Sequence, residues 1–461
     1  MGAYMAQQGI HGVWANRWTF VLAATGSAVG LGNIWKFPYI TGENGGGAFV
    51  LVYLLCIALI GIPIMVAEVL LGRRGRQSPI NSMRYVAKEA GLSSNWSAVG
   101  WMGVLAGLFI LSFYSVVAGW ALHYVFQTGT GAFEGATREV SQGVFGELLS
   151  NNTALISWHT VFILMTVGVV MAGVTRGLAM VARVLMPLLF VMLIMLLGYG
   201  MAAGDYVGAA KFMFSFKVSA LSWDGVLIAM GHAFFTLSLG MGSIMAYGAY
   251  MPSHSNIGQT VVTVGVLDTL VALVAGMCIF PIVFASGIEP SSGPGLLFQS
   301  LPVAFGNMPG GLFFGTLFFI LVSIAAWSSA VSLIEPGVAW LIETGKFNRV
   351  TANLVLGGAS WLVGISCALS YNLLADFKPL FLANRTPFDF LDFLTAQVML
   401  PLGGLFIAIF VGWRMAKAVM EDEMDAEGHP MLDIWLFVLR YISPVLVVIV
   451  FVMTLMNTFA G

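Results

Sequence analysis

The sequence has very little charge. Only 9% of its 461 residues are Asp, Glu, Lys or Arg, whereas about 25% is usual in soluble proteins. The formal net charge is −2, which excludes a charge-driven disordered chain and an electrostatic nucleic-acid binder. The three cysteines, Cys56, Cys278 and Cys367, lie in apolar stretches without metal-binding spacing. Neither a disulfide scaffold nor a cysteine metal site is therefore expected.

The sequence is instead rich in apolar residues, which make up 59% of the chain. A membrane-spanning helix needs about 20 such residues, so the composition suffices for roughly a dozen spans. The apolar runs are long and do not alternate strictly, which favours an all-α membrane protein over a barrel. The first run is expected to be a retained span, because it is too long for a cleavable signal and carries Lys36 near its end. The predicted spans are 16–39, 46–71, 98–126, 157–174, 182–201, 223–250, 258–287, 310–343, 348–371, 388–414 and 434–459.

The distribution of lysine and arginine predicts the topology. Loops on the N-terminal side hold most of these residues, among them Arg73, Arg74 and Arg76. Because basic loops stay in the cytoplasm, we expect a cytoplasmic N-terminus and, after eleven spans, a C-terminus outside. The three arginines are expected to contact lipid headgroups, and the acidic run at 421–427 to form a solvated linker.

Two spans contain a glycine-rich interruption at mid-membrane. One covers residues 26–33 of the first span and the other covers residues 236–242 of the sixth. They lie five spans apart, which predicts two inverted five-helix repeats, 16–201 and 223–414, within a single domain 1–461, with 434–459 as an additional helix. Paired interruptions of this kind indicate a transporter's binding site. The alternative is close helix packing through glycine.

The residues around both interruptions carry a family resemblance. The sequences GLGNIWKFPY at 30–39, GENGGGAF at 42–49 and FFTLSLGMG at 234–242 resemble the neurotransmitter:sodium symporters, in length the bacterial eleven-span members. The resemblance covers all eleven spans. It implies a LeuT-like fold with broken helices 1 and 6, and sodium-coupled symport by alternating access across a bacterial inner membrane. An enzyme is not expected, and an ion channel is the alternative class.

The partners implied are an amino-acid substrate, sodium ions and the lipid bilayer, without nucleic acid; the oligomeric state stays open. Carried over to this sequence, the substrate-binding residues are Ser27, Ala28, Gly30, Gly32, Ile110, Tyr114, Phe235, Thr236, Ser238, Met241, Ser329 and Leu333. A first sodium site maps to Ala28, Asn33, Thr236 and Asp268. A second sodium site maps to Gly26, Val29, Ala325, Ser328 and Ser329. The alternative for the serine pair is hydrogen bonding to carbonyls of its own helix.

Asp268 is the most informative charged residue. It lies in the middle of a span, where an unpaired carboxylate costs at least ~2.5 kcal/mol and a function is the default hypothesis. Chloride-dependent members of the family have asparagine at this position, and a chloride-binding serine where this sequence has Ala272. The resemblance therefore implies that Asp268 supplies the negative charge and that chloride is not needed. The alternative is a protonated Asp268 that donates a hydrogen bond.

The substrate is expected to be a neutral hydrophobic L-amino acid, branched or aromatic. Gly30 leaves room for a substrate carboxylate, and the remaining pocket is mainly apolar. A charged side chain would be buried there without a partner, which is expensive. The alternative is another small carboxylate-bearing substrate.

Gates on both sides of the pocket also follow from the resemblance. The outer gate maps to Lys36 and Asp392, with Tyr114 and Phe235 as an aromatic lid. The inner gate maps to His11, Trp14, Tyr250 and Glu343; His11 stands where the family has arginine, so an incidental histidine is the alternative. Glu68 and Glu335 are expected to bond the backbone of the broken helices, and His232 to be a hydrogen-bonded packing residue.

Overall fold

The computed structural model describes residues 11–287 and 293–459, and these fold almost entirely into helices. In chain order the helices are α1 Arg17–Ala28, α2 32–43, α3 Gly47–Gly75, α4 Pro79–Glu89, α5 Ser94–Gly129, α6 Arg138–Ser150, α7 Asn152–Met171, α8 Val174–Ala203, α9 Tyr206–Phe214, α10 Trp223–Thr236, α11 Ser243–Ala249, α12 Ile257–Ala285, α13 Leu296–Gly306, α14 Gly311–Glu343, α15 Arg349–Leu369, α16 Pro387–Arg414, α17 Lys417–Met424 and α18 Pro430–Met456.

Nine of these helices within the described ranges are long and apolar enough to cross a membrane: α3, α5, α7, α8, α12, α14, α15, α16 and α18. The pairs α1–α2 and α10–α11 each form a helix with a break, so the eleven predicted spans are all present as helices. The largest difference lies at the start of α8. It begins at Val174, not at residue 182, because Arg176 and Arg183 are accommodated within the helix.

The first break is short. Asn16 caps the start of α1 by accepting a hydrogen bond from the Thr19 amide, and α1 ends at Ala28 because Val29 is extended (φ −72°, ψ 103°). Asn33 then contributes to α2, and its side-chain oxygen accepts from the Gly30 amide at 3.1 Å. Between α1 and α2, backbone N–H and C=O groups that a continuous helix would pair internally are thus free to bond other groups.

The second break, residues 237–242, turns through left-handed backbone conformations. Ser238, Gly240 and Gly242 have φ of +55°, +75° and +74°. Glycine adopts such conformations without a steric penalty. At Gly240 a side chain is also excluded by space, because a Cβ atom would lie 2.5 Å from the Leu400 carbonyl oxygen.

The broken helices are enclosed by the most deeply buried spans. In the most apolar 18-residue stretch of α5 and of α14, 78% is buried inside the protein. The corresponding share is 39% in α7, α8 and α15 and 33% in α18. The latter helices therefore form the periphery, where apolar side chains face lipid, and α5 and α14 line the centre beside the two breaks.

Five helices lie in segments predicted as loops: α4, α6, α9, α13 and α17. The acidic run is partly the solvated segment expected from the sequence, since Asp422, Asp425 and Glu427 are exposed, but its first part forms α17. Arg73 is 4% exposed and its Nε donates to Glu423 Oε1 at 2.6 Å, so the expected lipid-headgroup contact is wrong for this residue. Arg74 Nη1 lies 2.8 Å from Asp422 Oδ2. Arg73 and Arg74 thus pair with the first part of the acidic run, here Asp422 and Glu423.

Candidate functional site

A small cavity of about 30 Å³ lies between the two breaks. Its lining contains all twelve predicted substrate-binding residues, together with Leu31 and Asn33, and no charged side chain. The lining residues are Ser27, Ala28, Gly30, Leu31, Gly32, Asn33, Ile110, Tyr114, Phe235, Thr236, Ser238, Met241, Ser329 and Leu333.

The four residues predicted for the first sodium site lie together at one end of this cavity. Asn33 Nδ2 donates to Asp268 Oδ1 at 2.7 Å and to Thr236 Oγ1 at 3.0 Å. Thr236 Oγ1 donates to Asp268 Oδ2 at 2.9 Å, and Asp268 is fully buried. Ala28 lines the cavity beside Asn33 and Thr236. The Asp268 carboxylate and the Thr236 hydroxyl offer hard oxygen ligands, so the cluster is chemically suited to a hard cation.

The residues predicted for the second sodium site also come together, between the first break and α14. Ser329 Oγ donates to the carbonyls of Gly26 and Val29 at 3.3 and 3.2 Å. Ser328 Oγ donates to the Ala325 carbonyl at 3.0 Å, which is the bond within its own helix that the alternative reading anticipates. The Ser328 Cβ lies 3.4 Å from where a Cβ on Gly26 would stand. The space between the first break and α14 is therefore lined by two serine hydroxyls and three backbone carbonyls.

Gly30 lies where no larger residue fits. A Cβ atom added to it would be 2.9 Å from both Ser329 Oγ and the Tyr114 hydroxyl. The Leu31 amide donates to the same Tyr114 oxygen at 3.4 Å. The Tyr114 hydroxyl also contacts the Ser329 side chain, so a carboxylate would have to replace Ser329 as the acceptor of its hydrogen.

A much larger vestibule of about 640 Å³ lies on one side of the cavity. Tyr114 and Phe235 line both spaces and separate them. Lys36 and Asp392 also line the vestibule, but they do not form the expected ion pair. The Lys36 ammonium instead lies 6.0 Å from the centre of the Phe235 ring.

The opposite side of the cavity, here called the His11 side, is closed by a polar contact between the chain's first described residue and the end of α14. His11 Nε2 lies 2.8 Å from Glu343 Oε1, with side chains only 3% and 4% exposed. Glu343 also accepts from the Ser78 amide at 2.6 Å and from Asn81 Nδ2 at 2.7 Å. His11 is therefore part of a hydrogen-bonded junction, not an incidental residue of a free tail.

Aromatic residues close the same side. The Trp14 amide donates to the Tyr250 carbonyl at 2.8 Å and its indole nitrogen donates to the Tyr247 carbonyl at 3.2 Å. Both tyrosine rings meet the indole edge-on. The segment before α1 is thereby fastened to the end of α11.

The two buried glutamates differ in what they bind. Glu68 Oε1 accepts from the Gly240 amide at 2.7 Å, so it braces the second break as predicted. Glu335 does not bond the backbone of a broken helix; it accepts from the Tyr250 hydroxyl at 2.8 Å and pairs with Arg349.

His232 was predicted to be hydrogen-bonded. Within the described residues both of its ring nitrogens are buried without a partner, and its ring stacks on Phe37.

Sequence reasoning missed Ser332. Its Oγ lies 2.7 Å from Ser27 Oγ, directly behind the cavity lining. The signal was present in the spacing, because residues three and four apart on a helix share a face and Ser332 follows Ser329 and Ser328 at those intervals.

Comparisons with known proteins agree with this geometry. The family described as "Sodium:neurotransmitter symporter family" matches residues 11–142 and 133–460. An uncharacterized sodium-dependent transporter, YhdH of Bacillus subtilis, is 38% identical over 95% of this chain and 96% of its own length. The human sodium- and chloride-dependent GABA transporter 2 is 26% identical over 92% of this chain and 77% of its own. The crystal structure of MhsT in complex with L-phenylalanine superposes with a TM-score of 0.86 and 43% identity, covering 96% of this chain and 99% of MhsT.

A helical bundle with two breaks that enclose an uncharged cavity is the architecture of a membrane transporter. The chain belongs to the sodium:neurotransmitter symporter family. It is a multi-pass, sodium-dependent symporter with a LeuT-like fold, and it is not an enzyme. These findings confirm the predicted fold class and family.

Proposed function

We propose that the protein couples inward movement of two sodium ions to uptake of a neutral hydrophobic L-amino acid, branched or aromatic, without a requirement for chloride. The observation that carries the proposal is the cavity between the breaks, in which no charged side chain lines the space. A zwitterionic substrate brings its own carboxylate and ammonium, whereas a charged substrate side chain would lack a partner.

The polar part of the cavity lining is proposed to bind the substrate carboxylate, and the apolar part to contact the substrate side chain. The Tyr114 hydroxyl and the Asp268 cluster stand at one end, where a carboxylate can accept from Tyr114 and share the first sodium ion. Ile110, Met241 and Leu333 offer an apolar wall for the side chain, and the flexible methionine adapts to different shapes. The phenylalanine bound to MhsT supports an aromatic substrate.

The two sides of the cavity support alternating access. The vestibule leads to the Tyr114–Phe235 lid, whereas the His11 side is closed by the Glu343 and Trp14 contacts. We assign the vestibule to the outside of a bacterial inner membrane, with the N-terminus in the cytoplasm and the C-terminus outside, because the basic loops lie on the His11 side. Transport then requires the lid to close and the His11 junction to open.

Uptake into proteoliposomes tests the proposal. The purified protein is reconstituted, a sodium gradient is imposed, and uptake of labelled phenylalanine, leucine, tryptophan, aspartate, lysine and γ-aminobutyrate is compared with uptake in choline. We expect sodium to stimulate uptake of at least one neutral hydrophobic amino acid about tenfold or more, and not that of aspartate or lysine. Sodium-driven uptake confined to γ-aminobutyrate would favour the other carboxylate-bearing substrate class. The absence of sodium-driven uptake of any neutral amino acid would overturn the proposal.

A further inference from the structure

The glycine run at 45–47 holds the backbone segment that leads from α9 to α10. The Gly47 amide donates to the Ser215 carbonyl at 3.0 Å, and the Lys217 amide donates to the first carbonyl of the run at 3.3 Å. Between these two bonds the middle glycine forms an antiparallel bridge with Phe216. Two parts of the chain that are distant in sequence are therefore fastened to each other through their backbones.

No side chain fits in this run. A Cβ atom on any of the three glycines would lie 2.7 Å from a backbone carbonyl oxygen of residues 214–217. Gly45 and Gly46 also have φ of +102° and +59°, which glycine adopts without a steric penalty. The run therefore has to be glycine for the segment to lie on it.

Gly42, near the end of α2, extends this contact to α9. A Cβ atom on Gly42 would overlap the ring of Phe212. The same ring packs against Phe280 and Phe284 of α12, with ring centroids 4.7 and 5.4 Å away. The helices α2, α9 and α12 thus meet at one aromatic side chain.

Together these contacts form one joint. We call residues 212–217 the connector, and Gly42 with residues 45–47 the glycine socket. The joint lies at the ends of α2 and α10 that are farther from the cavity, and there Asn44 Oδ1 lies 2.9 Å from where a Cβ on Gly225 would stand. The start of α10 therefore packs directly on the end of α2.

The same two helices are also joined at their cavity ends. Asn33 Nδ2 of α2 donates to Thr236 Oγ1 of α10 at 3.0 Å. Lys36 on α2 and Phe235 on α10 both line the vestibule. A joint at each end prevents one of these helices from tilting without the other.

We propose that the connector, lying in the glycine socket, makes α2 and α10 close over the cavity as one unit, so that the Tyr114–Phe235 lid shuts fully only while the connector stays in place. Phe212 and the socket glycines are positioning residues, because they line neither the cavity nor the vestibule. The inference rests on the proposed alternating access and names the contact that transmits closure.

A size exchange tests the contact between Gly42 and Phe212. Gly42→Ala places a methyl group where the ring lies, so we expect sodium-driven uptake of the neutral amino acid that the parent transports best to fall about tenfold or more. Phe212→Leu removes overlapping ring atoms and should by itself change uptake by less than about threefold. In the double variant the smaller side chain makes room for the methyl group, and uptake should return to within about threefold of the parent, a non-additivity expected of residues in contact. Gly143→Ala in α6 meets nothing within 4 Å and is the matched control.

A measurement at the vestibule separates this role from a loss of stability. The three buried cysteines are replaced, and Ala396→Cys on α16 places one thiol in the vestibule lining. In the parent, substrate with sodium should slow labelling of this thiol by a membrane-impermeant reagent several-fold, because the vestibule narrows. Gly42→Ala should lose that protection and the double variant should regain it. Thermal unfolding in detergent is recorded for each variant, since a purely structural role would lower the melting temperature and leave the protection of the folded protein unchanged.

Phe212→Ala keeps the test open if Gly42→Ala does not fold, because it removes the side chain that rests on Gly42 without altering a glycine, and it should lose the protection as well. Full uptake and protection in Gly42→Ala, or a double variant as impaired as Gly42→Ala, would overturn the inference. Absence of sodium-driven uptake of every neutral amino acid by the parent would instead overturn the proposed function.

Discussion

His11 Nε2 lies 2.8 Å from Glu343 Oε1, and this contact ties the segment before α1 to the end of α14. Glu343 also accepts from Ser78 and Asn81, so one carboxylate joins three parts of the chain. In the alternating-access cycle that we propose, this contact would have to break for a substrate to leave on the His11 side.

Removal of the histidine should loosen this junction. In a variant whose three buried cysteines are replaced and a single cysteine is placed at buried Ala246 of α11, His11→Ala should raise the labelling rate by a membrane-impermeant thiol reagent several-fold from the His11 side. His11→Arg keeps a partner for Glu343 and should label like the parent. His254→Ala, an exposed histidine on the same side, serves as the control. Equal labelling of His11→Ala and the parent would contradict a gating role.

Replacement of Asp268 should impair transport severely. Its carboxylate bonds Asn33 and Thr236, and Asp268→Asn keeps the shape but removes the negative charge that we propose to balance the sodium ion. We expect wild-type uptake to be the same in chloride and gluconate, and the variant to lose about tenfold or more in gluconate. Exposed Asp205→Asn is the control. A chloride requirement in the wild type, or full activity of Asp268→Asn without chloride, would refute the assignment.

Gly30→Ala should abolish substrate binding. The added methyl group would lie 2.9 Å from the Tyr114 hydroxyl and from Ser329 Oγ, where we place the substrate carboxylate. Gly198→Ala in α8 meets nothing within 4 Å and should bind normally. Sodium-dependent substrate binding measures the effect, and size-exclusion chromatography reports that both variants are folded. Normal binding by Gly30→Ala would place the carboxylate elsewhere.

The two serines of the second ion cluster should differ in their effect on sodium. Ser329 bonds carbonyls of the first break, whereas Ser328 bonds only Ala325 of its own helix. We expect Ser329→Ala to raise the half-saturating sodium concentration about tenfold or more, and Ser328→Ala to raise it less. Ser323→Ala should leave it unchanged. An unaltered sodium dependence in both variants would show that this cluster does not bind sodium.

The pair between Arg73 and Glu423 should stabilise the fold. Arg73 also donates to the Ser255 carbonyl at 2.6 Å, so Arg73→Ala leaves this carbonyl without its partner and leaves Glu423 with only the longer 3.4 Å contact to Arg74. Removal of one partner of a fully buried ion pair costs about 3 kcal/mol or more, and the contact with Arg74 offsets part of this cost. Thermal unfolding in detergent should therefore begin at a clearly lower temperature. Lys417→Ala breaks an exposed pair with Asp433 and should change little. Equal melting of both variants would contradict the stabilising role.

The spans and the breaks were predictable because their signals are local. Long apolar runs define α3 or α14 without knowledge of neighbours, and the glycines at 240 and 242 mark the positive φ angles that end α10. The motif residues Asn33 and Thr236 lie together beside the breaks, and their role as ion ligands stays a prediction. The exact repeat boundaries stay a prediction.

Contacts between distant segments could not be predicted in the same way. Arg73 and Glu423 are 350 positions apart, and each charge taken alone is typical of a solvated surface. The helices α4 and α17 are too short to show a spanning run, so the sequence predicts loops in their place. The distance between Lys36 and Asp392 depends on how far the vestibule is open, which no residue pattern records.

The separation between Arg73 and Glu423 also has a consequence for synthesis. Arg73, near the end of α3, leaves the ribosome 350 residues before its acidic partner Glu423. During that interval it lacks this partner and can act as a retained positive charge that orients the early spans. Once α17 has been made, Arg73 and Arg74 become internal ties between α3 and α17. One cluster thus serves first as a signal for insertion and later as a fastening of the finished protein.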